Sequence, residues 1–262
     1  MNTHSFVSQS KKSHRIGGST GTTAKAQIAH HLRKRWQPKP EQTRQNASAS
    51  RLSPAEQDAL MRQQALTCAQ QGETAEAIAL FSELIERHPD SAIDYSNRGL
   101  VHFQDGQLDE AIADYDKAIE LNPLLDSVYN NRANYYAAQG QYLEAILDYD
   151  VALDLNPANI RAWINQGITF RELEMYDRAL ESFDMALCLN RLEGHIYAER
   201  GRTYHLRGDW NCAIADYQKA LAKLPQPMDA VRNSSVRLRL HVGGWMTDLL
   251  SLSLEEDEAW KL

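Results

Sequence analysis

The sequence predicts an all-α solenoid of antiparallel helix pairs, and three observations carry that expectation. One pattern recurs every 34 residues from Asp58 to Pro227. Each unit has a turn residue near its middle, and most have a proline near their end. A small residue and an aromatic one recur at fixed places inside every unit. The five units are 58–91, 92–125, 126–159, 160–193 and 194–227.

The first helix has a legible start, with Ser53 as N-cap, Pro54 at the first helical position and Glu56 completing a capping box. Position 15 of the units is Gly72, Gly106, Gly140 and Gly208, where glycine permits the left-handed conformation that closes a helix; Glu174 stands there in unit four. Position 20 is always alanine (Ala77, Ala111, Ala145, Ala179, Ala213), which lets two helices approach closely. Position 24 is always a ring (Phe81, Tyr115, Tyr149, Phe183, Tyr217), which fills the space beside it. Position 32 is Pro89, Pro123, Pro157 and Pro225, which cannot continue the second helix, with Arg191 in unit four. Each unit therefore reads as two helices of about 14 residues joined by a turn.

Position 8 is small throughout (Ala65, Gly99, Ala133, Gly167, Gly201), and position 4 is aromatic in Tyr95, Tyr129, Trp163 and Tyr197. With these positions the chain resembles the tetratricopeptide repeat family. The resemblance implies helix pairs stacked into a right-handed superhelix, with first helices lining a concave groove and second helices forming the back. Unit one is the most degenerate, with Met61 and Cys68 where rings are usual, as befits a terminal repeat.

A paired substitution supports the register. Arg98, Arg132 and Arg200 at position 7 accompany Asp114, Asp148 and Asp216 at position 23, while units one and four lose both members, as Gln64 with Leu80 and Gln166 with Ser182. The expectation is a structural ion pair joining the two helices of a unit, since a repeated pair is not an active site.

Charge divides the chain. Residues 1–50 carry +8 and the remainder −15, within a total of −7. Residues 1–23 are too polar to pack and are expected to be disordered, and a short basic helix over Ala24–Trp36 is expected before Pro38 and Pro40. Such an arm suits contact with nucleic acid or an anionic membrane, or an organelle transit peptide. Beyond Pro227, Met228–Val242 reads as a capping helix ended by Gly243 and Gly244, followed by a short helix over Trp245–Leu252 and an acidic tail. Leu238, Leu240, Val242, Trp245, Met246, Leu249 and Leu250 are more apolar than a spacer needs, so docking or self-association is a second reading of this end.

Nothing in the sequence is apolar for long enough to span a membrane. Cys68, Cys188 and Cys212 lack metal-ligand spacing and read as buried free thiols of a cytoplasmic or other reducing compartment. No nucleophile with its base, phosphate loop or metal set is present in the pattern, and Gly17, Gly18 and Gly21 lack a preceding strand and a P-loop lysine. The expectation is no enzyme, no cofactor and no metal.

The family geometry directs position 6 into the groove, and there Asn97, Asn131 and Asn165 stand one repeat apart. A file of side-chain amides can bond the backbone of an extended peptide without reading its side chains, and it resembles the asparagine ladder of the O-linked N-acetylglucosamine transferase superhelix. Asn130 and Asn134 join this surface, and towards its far end Arg161, Arg171 and Arg202 interleave with Glu199. The carboxylate clamp for chaperone tails is not expected: Asn134 and Asn165 match it, but Asn130 and His195 replace lysines, and Glu199 repels a dicarboxylate. The function expected is a protein-binding scaffold or assembly factor that takes a partner segment, extended or helical, in its groove.

Overall fold

The computed structural model describes residues 53–226 and 234–259, with side chains described through Leu249. The arm and its expected basic helix lie outside the described residues. Ten helices run in antiparallel pairs: α1 (Pro54–Gln71) with α2 (Thr74–Arg87), α3 (Ala92–Asp105) with α4 (Leu108–Leu121), and α5 (Asp126–Ala138) with α6 (Tyr142–Leu155). Next come α7 (Ile160–Glu172) with α8 (Tyr176–Cys188) and α9 (Glu193–Arg207) with α10 (Trp210–Lys223). A last helix, α11 (Ser234–Ala259), follows. Each first helix packs on its own second helix and on the second helix before it. Successive first helices also touch one another, whereas successive second helices make no comparable contact, so the stack curves towards the first helices.

The core of every pair is a ring laid against small residues. All five alanines at position 20 and all five rings at position 24 are essentially inaccessible. In units four and five the fit leaves no room for a methyl group at position 8. A Cβ on Gly167 would stand 2.8 Å from the Phe183 ring, and one on Gly201 2.8 Å from the Tyr217 ring. Ser53 caps α1 through the reciprocal bonds of a capping box, its hydroxyl accepting from the Glu56 amide and the Glu56 carboxylate accepting from the Ser53 amide. The first helix of a unit closes on a left-handed residue: Gly106 has φ 82°, and Glu174 in unit four takes φ 58° although it carries a Cβ.

Arginine at position 7 does more than join two helices. Arg132 grips Asp148 of its own second helix with two bonds of 2.7 and 2.9 Å, and its remaining nitrogen donates to Asp116 of the preceding second helix at 2.7 Å. Arg200 repeats this between Asp216 and Asp184, and Arg98 between Asp114 and Ser82. Three helices are thus tied by one planar fork, the geometry at which guanidinium surpasses ammonium. Unit four has no such ion pair, yet it keeps the link. Gln166 donates to Asp150 of α6 at 2.7 Å and accepts from Ser182 of α8 at 3.1 Å, so a neutral pair takes over the same three-helix link.

The C-terminal end also differs from expectation. Gly243 and Gly244 do not break the chain into two helices; α11 runs straight through them. Glycine costs roughly 1 kcal/mol per residue in a helix interior, and here that cost is met by burial of Val242, Trp245, Met246 and Leu249 against α9 and α10. Arg239 donates to the carbonyl oxygens of Leu224, at 3.0 Å, and Leu221, at the end of α10 where helical partners run out. Of the cysteines, Cys68 is buried, but Cys188 and Cys212 are exposed, because they fall on the outward side of α8 and α10.

Three outcomes are expected. Glu174→Gly removes a left-handed non-glycine residue and raises stability by about 1 kcal/mol, read as a higher Tm by circular dichroism. Arg132→Ala leaves two carboxylates facing each other and costs roughly 3 kcal/mol. By contrast Arg132→Gln with Asp148→Ser, the unit-four solution, keeps most of that, within about 1.5 kcal/mol of the parent in urea melts. The third concerns pH. Burial, with Arg202 adding to it at His205, holds His195 and His205 below the usual imidazole value of 6.5, against the opposite pull of Glu199 on the first and Asp248 on the second. His195 meets Ser235 of α11 at 3.1 Å, and His205 meets the Tyr217 hydroxyl at 3.2 Å. The unfolded chain then binds more protons than the folded one below 6.5, so stability falls as pH drops through 6.5 towards the folded values. Tm measured from about pH 7.5 to about pH 5.5 should decline, and His195→Gln with His205→Gln should flatten that slope.

Candidate partner-binding groove

The inward face of the first helices carries a hollow of about 390 Å³ that spans four of them. Leu66, Ala69 and Gln70 of α1, Leu100, Val101 and Gln104 of α3, and Ser127 of α5 form its apolar and polar walls. Asn97, Asn130, Asn131 and Arg161 line it as well, so four of the residues singled out in the sequence meet in one place. Asn97 and Asn131 are there for a helical reason: a 34-residue repeat returns position 6 to the same face of each successive first helix, one helix spacing along, and Asn130 and Arg161, at positions 5 and 2, share that face.

The asparagines are not equivalent. Asn131 donates to Ser96 of the preceding first helix at 3.3 Å, and Asn165 donates to Asn134 at 2.8 Å. Asn134 is largely committed internally, since its side-chain oxygen also accepts from the buried Tyr149 hydroxyl at 2.6 Å. That differs from its expected role as a contact residue: a phenol enclosed by the pair needs an acceptor, and position 9 is the one within reach. Asn130 is buried, donates weakly to Asn131 at 3.5 Å, and keeps its oxygen without a hydrogen-bond partner.

Towards the C-terminal end the charged residues serve the fold. Arg171 is nearly enclosed and binds Glu199 of the next first helix at 2.7 Å, so neither presents a free charge. The Arg202 guanidinium lies 5.1 Å from the centre of the Trp245 ring of α11, which is tilted beside Tyr217 at 6.0 Å. Burial raises the Tyr217 hydroxyl to about 12, keeping it protonated at neutral pH, while the nearby Arg202 and Arg171 work against the rise. A cap was expected from the sequence, but its hold on Arg202 was not, since a helix spacing fixes a face but not what a later helix does to it. Only Arg161 of the three arginines remains exposed in the groove.

One grouping on α1 and α2 has the residue types of a metal site: the Cys68 thiol lies with the Glu73 and Glu76 carboxylates within 4.8 Å of one another. Burial, then the charges of Glu76 and Glu73, push the thiol upward, so it stays protonated and makes a poor ligand. No helix among the described residues is long and apolar enough to cross a membrane.

Comparison with known proteins agrees with this architecture. Models of the tetratricopeptide repeat match residues 59–91, 92–123 and 127–159, which are units one to three. Curated proteins give no match. Among solved structures, the thermophilic TPR protein TTC0263 of Thermus thermophilus is 18% identical, with 72% of this chain and 99% of that one covered at a TM-score of 0.62. PilF of Pseudomonas aeruginosa is 22% identical, with 79% and 93% covered at a TM-score of 0.61. PilW, a widely conserved type IV pilus biogenesis factor, is 16% identical, with 75% and 92% covered at 0.61. At these identities the likeness is one of fold. Five sequence repeats, their stacked helix pairs and the repeat-model matches make this chain a tetratricopeptide repeat protein, a member of a family of protein-interaction scaffolds.

Proposed function

We propose that the protein is a non-catalytic adaptor or assembly factor that holds an extended segment of a partner protein along the inward face of its first four units. The observation that carries this reading is the hollow across four first helices, where half-buried Asn97 and exposed Arg161 stand with Asn130 and Asn131 on one inward face. A side-chain amide on such a face offers both donors and an acceptor to the backbone of a peptide laid along it. Leu66, Leu100 and Val101 offer apolar contact beside the amides, so backbone recognition and modest side-chain burial act together. The stretch ends where Trp245 covers Arg202, which sets the reach of the bound segment at the N-terminal four units.

Photo-cross-linking tests the face. A cross-linking residue at exposed Gln104 should trap the partners that the parent protein captures from a native lysate, and one at Leu147, 66% exposed on second helix α6, should not. Asn97→Ala with Asn131→Ala and Asn165→Ala, checked for unchanged helicity, should weaken capture about tenfold or more. Equal trapping from Leu147, or undiminished capture by the folded triple variant, would overturn the reading.

A further inference from the structure

The back of the fourth unit holds a second hollow, of about 570 Å³, that shares no residue with the groove. It lies between α6 and the α7–α8 pair, with Trp163, Phe170, Gln166, Asp150, Glu181 and Met185 in its walls. The neighbouring units show what occupies the corresponding space. In unit three the Arg132 guanidinium lies between the rings of Tyr129 and Tyr136, 5.9 and 5.8 Å from their centres. In unit five Arg200 lies between Tyr197 and Tyr204 at 5.5 and 5.8 Å. Each of these cations is held at once by the Asp of its own second helix and the Asp of the preceding one.

Unit four keeps the frame but has no cation at position 7; Arg178 of α8 lies over the Phe170 ring only, and among the described residues the Trp163 side is left without one. Trp163 and Phe170 stand at the two ring positions, and Asp150 is the carboxylate of the preceding second helix, yet Gln166 occupies the arginine's place. The glutamine is shorter and neutral, so it makes the hydrogen bonds to Asp150 and Ser182 without filling the volume between the rings or neutralising the acid. Arg178 covers part of one wall, 5.1 Å from the Phe170 ring centre, but among the described residues no cation lies over Trp163, and neither Asp150 nor Glu181 has an ion-pair partner. Asp184, also in the wall, is already taken by Arg200 at 2.5 Å. Burial raises the Asp150 carboxyl, with Asp154 adding to it, against the Gln166 hydrogen bond and the Arg178 charge, which lower it.

We propose that this hollow receives the guanidinium group of an arginine from a partner protein, which completes in trans the ring-and-carboxylate cage that units three and five complete with their own arginines. Tryptophan is the strongest of the aromatic faces for a cation, and a planar guanidinium both stacks on it and bonds a carboxylate edge-on. The site would give the scaffold a contact on the side opposite its groove, selective for arginine.

The test uses the full chain and the peptide acetyl-Gly-Gly-Arg-Gly-Gly-amide, followed by the NMR signal of the Trp163 indole N–H, which donates to the Pro157 carbonyl at 2.9 Å. A saturable shift is expected with this peptide. Affinity should be about tenfold weaker or worse when citrulline, of the same shape but uncharged, replaces arginine. Gln166→Arg with Ser182→Asp rebuilds the internal cation, fills the hollow and should abolish the shift while the helical circular dichroism is kept. Glu181→Gln, an exposed and unpaired change, should weaken binding about threefold without touching the fold. Equal binding of the arginine and citrulline peptides, or parent-like binding by the filled variant, would overturn the proposal.

Discussion

The molecule depends on the contact between the ring at position 24 and the small residue at position 8. That contact fixes how closely two helices of a unit lie, and every other feature is built on the spacing it sets. With Phe183 2.8 Å from where a Cβ on Gly167 would be, the pair has no slack, and a packed interior of this kind transmits rather than absorbs changes. A phenol drawn into such a contact must also find an acceptor or go without. Tyr149 finds Asn134, Tyr217 meets His205, and the Tyr115 hydroxyl has no partner.

On this frame the arginine fork sets how units follow one another. A helix pair alone buries one apolar side and leaves the other unsatisfied, so stability comes from stacking. The fork at position 7 links a first helix to the second helices on either side of it, and does so with bidentate geometry that tolerates little displacement. Unit four shows that the link and the charge are separable. Gln166 retains the bonds and gives up the position-7 cation, and the released space appears as a hollow on the back of the stack.

The two ends are treated differently. At the N-terminus α1 opens with its own capping box and presents a degenerate unit. At the C-terminus α11 lays Val242, Trp245 and Leu249 over the fifth unit and draws Arg202 out of the groove. Two histidines whose protonation is opposed by burial sit at that junction, which makes the cap sensitive to mild acid. The cap thus limits how much of the inward face stays uncovered.

The sequence by itself determined the helix pairs, their boundaries, the ring-and-alanine core and the register, because a strict 34-residue period lets each position be compared with four copies of itself. With the geometry of the family it resembles, it also placed Asn97, Asn131 and Arg161 on one face. Only the tertiary structure decided which of those side chains remain free. Asn134 is claimed by a phenol, Arg171 by Glu199 and Arg202 by Trp245, and each of these partners comes from another helix. The third arm of the arginine fork, to the preceding unit, and the uninterrupted path of α11 through Gly243 and Gly244 were equally hidden. The physical reason is the same throughout: local pattern fixes where a side chain points, but whether it meets water or a partner depends on surfaces that exist only after distant helices have packed.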